Sequence, residues 1–261
     1  MRICKLAFLA GLIAFCLGNI SFGAVDPSVV LYFSFDKEEG NTVSDLSGNG
    51  NDGSVQNAEW VSGKYGHALE FDGATAHVMV APNATLDLTD AMTLMAWIYK
   101  SEFLPGNNGE TIISKKQSGA YCLEVSGWEN RSPEKLSTEP RISGTYHPLA
   151  SPEPVPLNRW VHTAVTYDGD SLRMYIDGEL VAEGNWPGKI DTNTASVYIG
   201  AESDGNQPDA THGRFKGMID ELVVANRAFS ADEIKGYMAG PSDVGPEGKL
   251  PICWGAVKSD Q

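Results

Sequence analysis

The side chains best suited to binding chemistry are acids, amides and indoles set in Gly-, Asn- and Pro-rich stretches. Asp45, Ser47, Asn49, Gly50 and Asn51 repeat the oxygen-rich first half of an EF-hand calcium loop. The twelfth position is Gln56, where a bidentate Glu is needed, and no flanking helices are expected, so an EF-hand is excluded. The competing role for Asp45, Asn49, Asn51 and Asp52 is side-chain-to-backbone turns, which short Asp and Asn side chains make readily. Asp220 stands in the apolar run GMIDELVV (217–224), where an unpaired carboxylate is costly; it should face a cation or strong donors. Trp128 in SGWENRSP and Trp186 in GNWPGK place indoles in turn-forming contexts, and Tyr146-His147 lies in a Pro-rich stretch. Such rings can form apolar platforms for sugars, with amides and carboxylates taking the hydroxyls. Trp60, Trp97 and Trp160 lie in strand-like runs and read as core.

Catalytic signatures are missing. There is no G-x-S-x-G elbow, no H-E-x-x-H pair and no Gly-rich phosphate loop at a strand-to-helix junction. The histidines, at 67, 77, 147, 162 and 212, are scattered, and His162 in RWVHTAV falls at strand alternation rather than in a ligand cluster.

Composition narrows the function further. Hydrophobic residues make up 42% of the 261 and charged residues 20%, as in a globular protein. Residues 1–24 read as a secretory signal: Arg2 and Lys5 precede an apolar run from Leu6 to Leu17, and small residues Ser21, Gly23 and Ala24 end it. That run is too short for a spanning helix, which needs about 20 residues, and bulky Phe15 argues against lipidation at Cys16. Without this segment, 17 basic residues (19 less Arg2 and Lys5) face 34 acidic ones, a net charge of −17 against −15 for the whole chain. Such acidity excludes a nucleic-acid partner, which needs Lys and Arg against phosphates, and disfavours anionic membranes. After cleavage only Cys122 and Cys253 remain, so a core and not a set of disulfides must hold the fold. The two could pair in an oxidising compartment, or Cys122 could be a buried strand residue and Cys253 part of a tail.

The elements that must position these residues are short β-rich runs between Val29 and Ala225, separated by Gly, Asn, Asp and Pro. VVLYFSF (29–35), AHVMVA (76–81), TLMAWIY (93–99), SVYIG (196–200) and FKGMIDELVVANRAF (215–229) are such runs. In 93–99, Leu94, Ala96 and Ile98 should face opposite to Met95, Trp97 and Tyr99. RWVHTAVTYDGDSLRMYIDGELVAEG (159–184) predicts a three-stranded meander turned at Asp168-Gly169 and Asp177-Gly178. Ser230 and Glu233 form a capping box for a two-turn helix that Gly240-Pro241 stops. Residues 132–158, with six of the fourteen prolines, read as an irregular insertion.

Four ordered blocks resemble the laminin-G-like jelly-roll family of the concanavalin A-like lectin and glucanase superfamily: LYFSFDKEEGNTVSDLSGNGNDGSV (31–55), GKYGHALEFDG (63–73), PLNRWVHTAVTYDG (156–169) with LRMYIDGELVA (172–182), and GMIDELVVANRAFSADEI (217–234). The resemblance implies an all-β, two-sheet antiparallel jelly-roll sandwich with one short C-terminal helix, occupying residues 25–240 ahead of a tail at 241–261. It further implies a secreted or cell-surface, non-catalytic module that binds an extracellular glycan or protein, with carbohydrate favoured. Related sandwiches place a Ca²⁺ ion where the first and last strands approach, and the matching acids are Asp36, Asp45 and Asp220. Relatives that are glycoside hydrolases carry E-x-D-x-E or E-x-x-D-x-E on one strand. This chain lacks that run, and its adjacent acids Asp220-Glu221 should point apart along an extended strand, which leaves a glycoside hydrolase, with carboxylates converging from separate strands, as the least favoured alternative. The expected ligand-binding residues are therefore Trp128, Tyr146 and Trp186.

Overall fold

A computed structural model describes residues 25–37, 40–104, 109–116, 119–127, 132–204, 207–208 and 213–240. The signal segment, Trp128, Cys253 and the tail lie outside these residues. Two eight-stranded sheets face each other, and every ladder between their named strands is antiparallel. The first runs β16 (Glu179–Asn185), β15 (Ser171–Ile176), β14 (Trp160–Tyr167), β7 (Met92–Tyr99), β20 (Lys216–Ala225), β5 (His67–Asp72) and β4 (Glu59–Ser62). β20 is long enough to pair with β5 along its first half and with β1 (Val29–Phe33) along its second. The C-terminal strand thus returns to the middle of a sheet beside the N-terminal one.

The second sheet runs β13 (Leu149–Pro154), β10 (Ser132–Thr138), β9 (Cys122–Ser126), β8 (Glu110–Ser114), β17 (Val197–Ile199), β6 (His77–Val80), β3 (Gly53–Gln56) and β2 (Thr42–Val43). Two small ribbons, β11 (Arg141–Ile142) with β12 (Thr145–Tyr146) and β18 (Ser203–Asp204) with β19 (Gln207–Pro208), stand apart. The Pro-rich 132–158 stretch is therefore not irregular. It adds two strands and a projecting hairpin to one edge of the second sheet, with Pro152 and Pro154 on the outermost strand, where a missing N–H breaks no ladder bond.

Alternation decides what each sheet buries. Leu94, Ala96 and Ile98 enter the core between the sheets with Leu31, Phe33, Phe71, Val78, Leu123 and Ile199, as expected. Met95 faces the other way. With Val29, Ala164, Tyr175 and Val223 it is covered by Phe229 and Ile234, so helix α1 (Ala231–Met238) caps the outer face of the first sheet. The predicted capping box is formed: Ser230 Oγ accepts from the Glu233 N–H, and the Glu233 carboxylate accepts from the Ser230 backbone N–H. The meander β14–β15–β16 is also formed, and Asp177 and Gly178, with φ of 50° and 76°, both take the left-handed conformation of a tight hairpin turn.

Candidate ligand-binding rim

The β11–β12 hairpin folds back onto the segment that follows β16. Ile142 bridges Ile190, the Ser143 N–H donates to Lys189 O at 2.9 Å, and the Asp191 N–H donates to Arg141 O at 2.8 Å. Arg141 and Asp191 form an ion pair at 3.2 Å. This docking sets the His147 ring against Trp186, centroids 5.1 Å apart, and holds the Arg141 guanidinium 5.7 Å from the Tyr146 ring centre. Of the three rings expected to bind ligand, Trp186 thus packs against His147, and Tyr146 stands on the same hairpin beside Arg141. Trp128 lies outside the described residues.

The rings differ in freedom. Tyr146 is 39% exposed. Trp186 is half-buried, packed on the core and over Gly184, where any side chain would overlap the indole. Its backbone is fixed by Tyr167, whose buried ring sends a hydroxyl to Trp186 O at 2.7 Å and Gly188 O at 2.9 Å. The platform is therefore preformed, which lowers the ordering cost of binding.

The same rim carries a cleft that the sequence did not announce. It has a volume of about 380 Å³ and is lined by Val30, Asn49, Thr85, Asp87, Asp90 and Asn226, among others. The ion pair Lys189–Asp90, at 3.0 Å, and the bond from Ile190 N–H to Thr89 O, at 2.8 Å, join it to the ring platform. The sequence marks Val30 and Asn226 only as parts of strand runs, and Asn49 alone belongs to a candidate ligand motif.

The acids expected around calcium are divided. Asp45 is occupied by donors: Tyr32 N–H and Ser47 N–H reach Oδ1, and Ser47 Oγ and Asn51 N–H reach Oδ2, all within 3.0 Å. It makes the turn chemistry that was its alternative role. Asp36 and Asp220 do approach each other, and they are joined by Glu221. The strand register moves from Asp220 opposite Trp97 to Val223 opposite Met95, an extra residue, and Glu221 takes φ 49° in the resulting bulge. The bulge corrects the expectation that Asp220 and Glu221 point apart: it breaks strict alternation and leaves their carboxylates close enough to repel. Burial pushes the Asp220 carboxyl up to about 7 against the lowering effect of N–H bonds from Tyr65, Glu221 and Lys64, with Asp36 adding repulsion. Burial likewise pushes Glu221 up to about 8, although Tyr32 donates a 2.6 Å hydroxyl bond to it. Glu221 Oε1 is buried without a hydrogen-bond partner among the described residues. Also among the described residues, no three His, Cys, Asp or Glu side chains are arranged to hold a metal ion, so an ion at this corner would draw its remaining ligands from backbone carbonyls and water.

A third cluster lies on the outer face of the second sheet. Lys116 Nζ is 3.1 Å from Glu139, 3.8 Å from Glu202 and 3.9 Å from Glu124, and all four side chains are nearly buried. The three carboxylates converge on one shared ammonium, Glu124 from β9 and Glu139 and Glu202 from the segments that follow β10 and β17. Cys122, next to them in β9, is fully buried. His162 is buried in β14 with its ring against Trp97, a strand residue as expected. Among the described residues no helix is long and apolar enough to cross a membrane.

A laminin G family model, described as the concanavalin A-like lectin/glucanases superfamily, matches residues 72–235; the first of the four sequence blocks precedes that span. No curated protein matches the chain by sequence. Among solved structures, domain 4 of AbnA, a GH43 extracellular arabinanase from Geobacillus stearothermophilus in complex with arabinotriose, is similar at 19% identity and a TM-score of 0.62, over 80% of this chain and 98% of that one. The binding domain of Paraclostridial Mosquitocidal Protein 1 is similar at 13% identity and 0.62, over 80% of this chain and 51% of that one. The binding domain of botulinum neurotoxin DC in complex with rat synaptotagmin II is similar at 13% and 0.59, over 80% and 50%. This chain thus spans about half of each toxin domain and nearly all of the arabinanase domain.

Proposed function

Since the chain belongs to the concanavalin A-like lectin/glucanases superfamily, we propose that it is a secreted or cell-surface, non-catalytic module that recognises extracellular carbohydrate. One observation carries this reading: the docked β11–β12 hairpin sets His147 against the core-packed Trp186 and presents the exposed Tyr146 ring beside Arg141, with Asp191 paired to that arginine. Aromatic faces with polar groups at their edge suit sugar rings. The arabinotriose carried by the similar arabinanase domain supports the same ligand class. Release of reducing sugar from a polysaccharide would overturn the non-catalytic part of this reading.

On a glycan array, Tyr146→Ala should lower binding about tenfold with Tm unchanged, because an exposed ring contributes little to packing. Trp186→Ala should lower binding and Tm together, since the indole also covers the core. A hit that both variants retain at full affinity would place the site elsewhere.

A protein partner is the second reading. The similar toxin domain bound to synaptotagmin II and the net charge of −15 favour it, with a basic surface as the complement. Calcium at the corner where Asp36, Asp220 and Glu221 repel one another is a separate proposal, in which fewer than three of these carboxylates would bind it and backbone carbonyls and water would complete its shell; the unpartnered Glu221 oxygen supports it.

A further inference from the structure

We propose that the cleft beside the ring platform is a second sugar subsite, so that the molecule takes an uncharged oligosaccharide several units long. The proposal rests on the carbohydrate reading above and deepens it. Asn226 offers an amide, Thr85 a hydroxyl that accepts from Asn51 Nδ2 and keeps its proton to donate, and Asn49, whose Nδ2 donates to Val29 O and Ser47 Oγ, a carbonyl oxygen to accept. Val30 and Leu88, 4% and 2% exposed, give the lining an apolar component. About 380 Å³ is at the small end of ligand sites and suits a sugar unit.

Continuity follows from the chain. Trp186 and Lys189 are three residues apart, at most about 10 Å along the backbone, and Lys189 is paired with Asp90 of the cleft. That separation is within the length of a short oligosaccharide.

Charge selects among glycans. Asp87 and Asp90 are exposed on the cleft wall and can only accept hydrogen bonds. Their partners, Lys115 and Lys189, are each already engaged with one of them, at 2.8 and 3.0 Å. Among the described residues the lining itself holds two acids and no Lys or Arg to receive a uronate, sulfate or sialate group, and like charges across an interface are unfavourable.

The test is calorimetric titration of the full chain with neutral linear arabino-, xylo-, manno- and gluco-oligosaccharides of increasing length, and with oligogalacturonates of matched length. Affinity for one neutral series should rise with length. Asn226→Leu, which alters an exposed side chain, should weaken the longest member about tenfold and leave the shortest unchanged. Asn49→Ala should act in the same direction, whereas Tyr146→Ala should weaken every length. If Tyr146→Ala weakens binding but neither cleft variant alters the length dependence, the second subsite is wrong and the carbohydrate reading stands. Tighter binding of oligogalacturonate would overturn the selection for neutral sugars. Failure of every carbohydrate to bind would overturn the reading on which the proposal rests.

Discussion

Asp45 and Asp220 bear the same carboxylate at opposite ends of an electrostatic range. Asp45 accepts four bonds that tie the 45–51 loop to β1, so a cation would have to displace donors already paired. Asp220 is buried beside Asp36 and Glu221, where each added negative charge is unfavourable and a cation would relieve it. Calcium should therefore raise Tm in the wild-type protein and a chelator should lower it, because a ligand held only by the folded state stabilises it. Asp220→Asn should abolish this response, and Asp45→Asn should lower Tm while preserving it. A wild-type Tm that moves with neither calcium nor chelator would remove the ion from the account. The sequence marked both residues as candidates through acidity and neighbours. It could not separate them, because the difference arises from the bulge at Glu221, which interrupts the alternation used to assign faces.

Elements were legible where one face was apolar and the other polar or helix-covered. β7, β14, β15 and β20 show that pattern, and Asp177-Gly178 announced the turn between β15 and β16. The second sheet was harder to read because its buried outer face is polar: Thr111, Ser114, Lys116 and Glu124 sit under cover while resembling a loop in composition. β13, with the sequence LASPEP, is the extreme case. It is an edge strand lying beside β16, itself fringed by Glu179 and Glu183, which pair with Lys235 and Arg173. Proline and charge at sheet edges deny hydrogen-bonding templates to other chains. Replacing Pro152 and Pro154 by Val should restore two N–H donors and raise β-propensity at an exposed edge. Dimers or larger species should then appear by light scattering at concentrations where the parent is monodisperse, with Tm within a few degrees of its value. An unchanged scattering profile would show that the prolines do not guard this edge.

At the scale of the whole molecule, the excess of acid over base gives the surface a field that any partner must enter. A neutral oligosaccharide feels almost none of it; its binding depends on ring contact and short hydrogen bonds, which salt screens little. A basic protein would be steered and held by the same field, and its affinity would fall steeply as the Debye length shrinks from about 30 Å at 0.01 M salt to about 3 Å at 1 M. The two leading readings therefore separate in one salt titration, whatever the ligand's chemical identity. If the Tyr146 platform is a sugar site, Kd for the best array hit should change by less than about twofold across that salt range, and Tyr146→Ala should weaken binding equally at both ends. A salt-sensitive complex that ignores Tyr146→Ala would instead assign recognition to the acidic surface. The rings would then be left as packing for the β11–β12 hairpin.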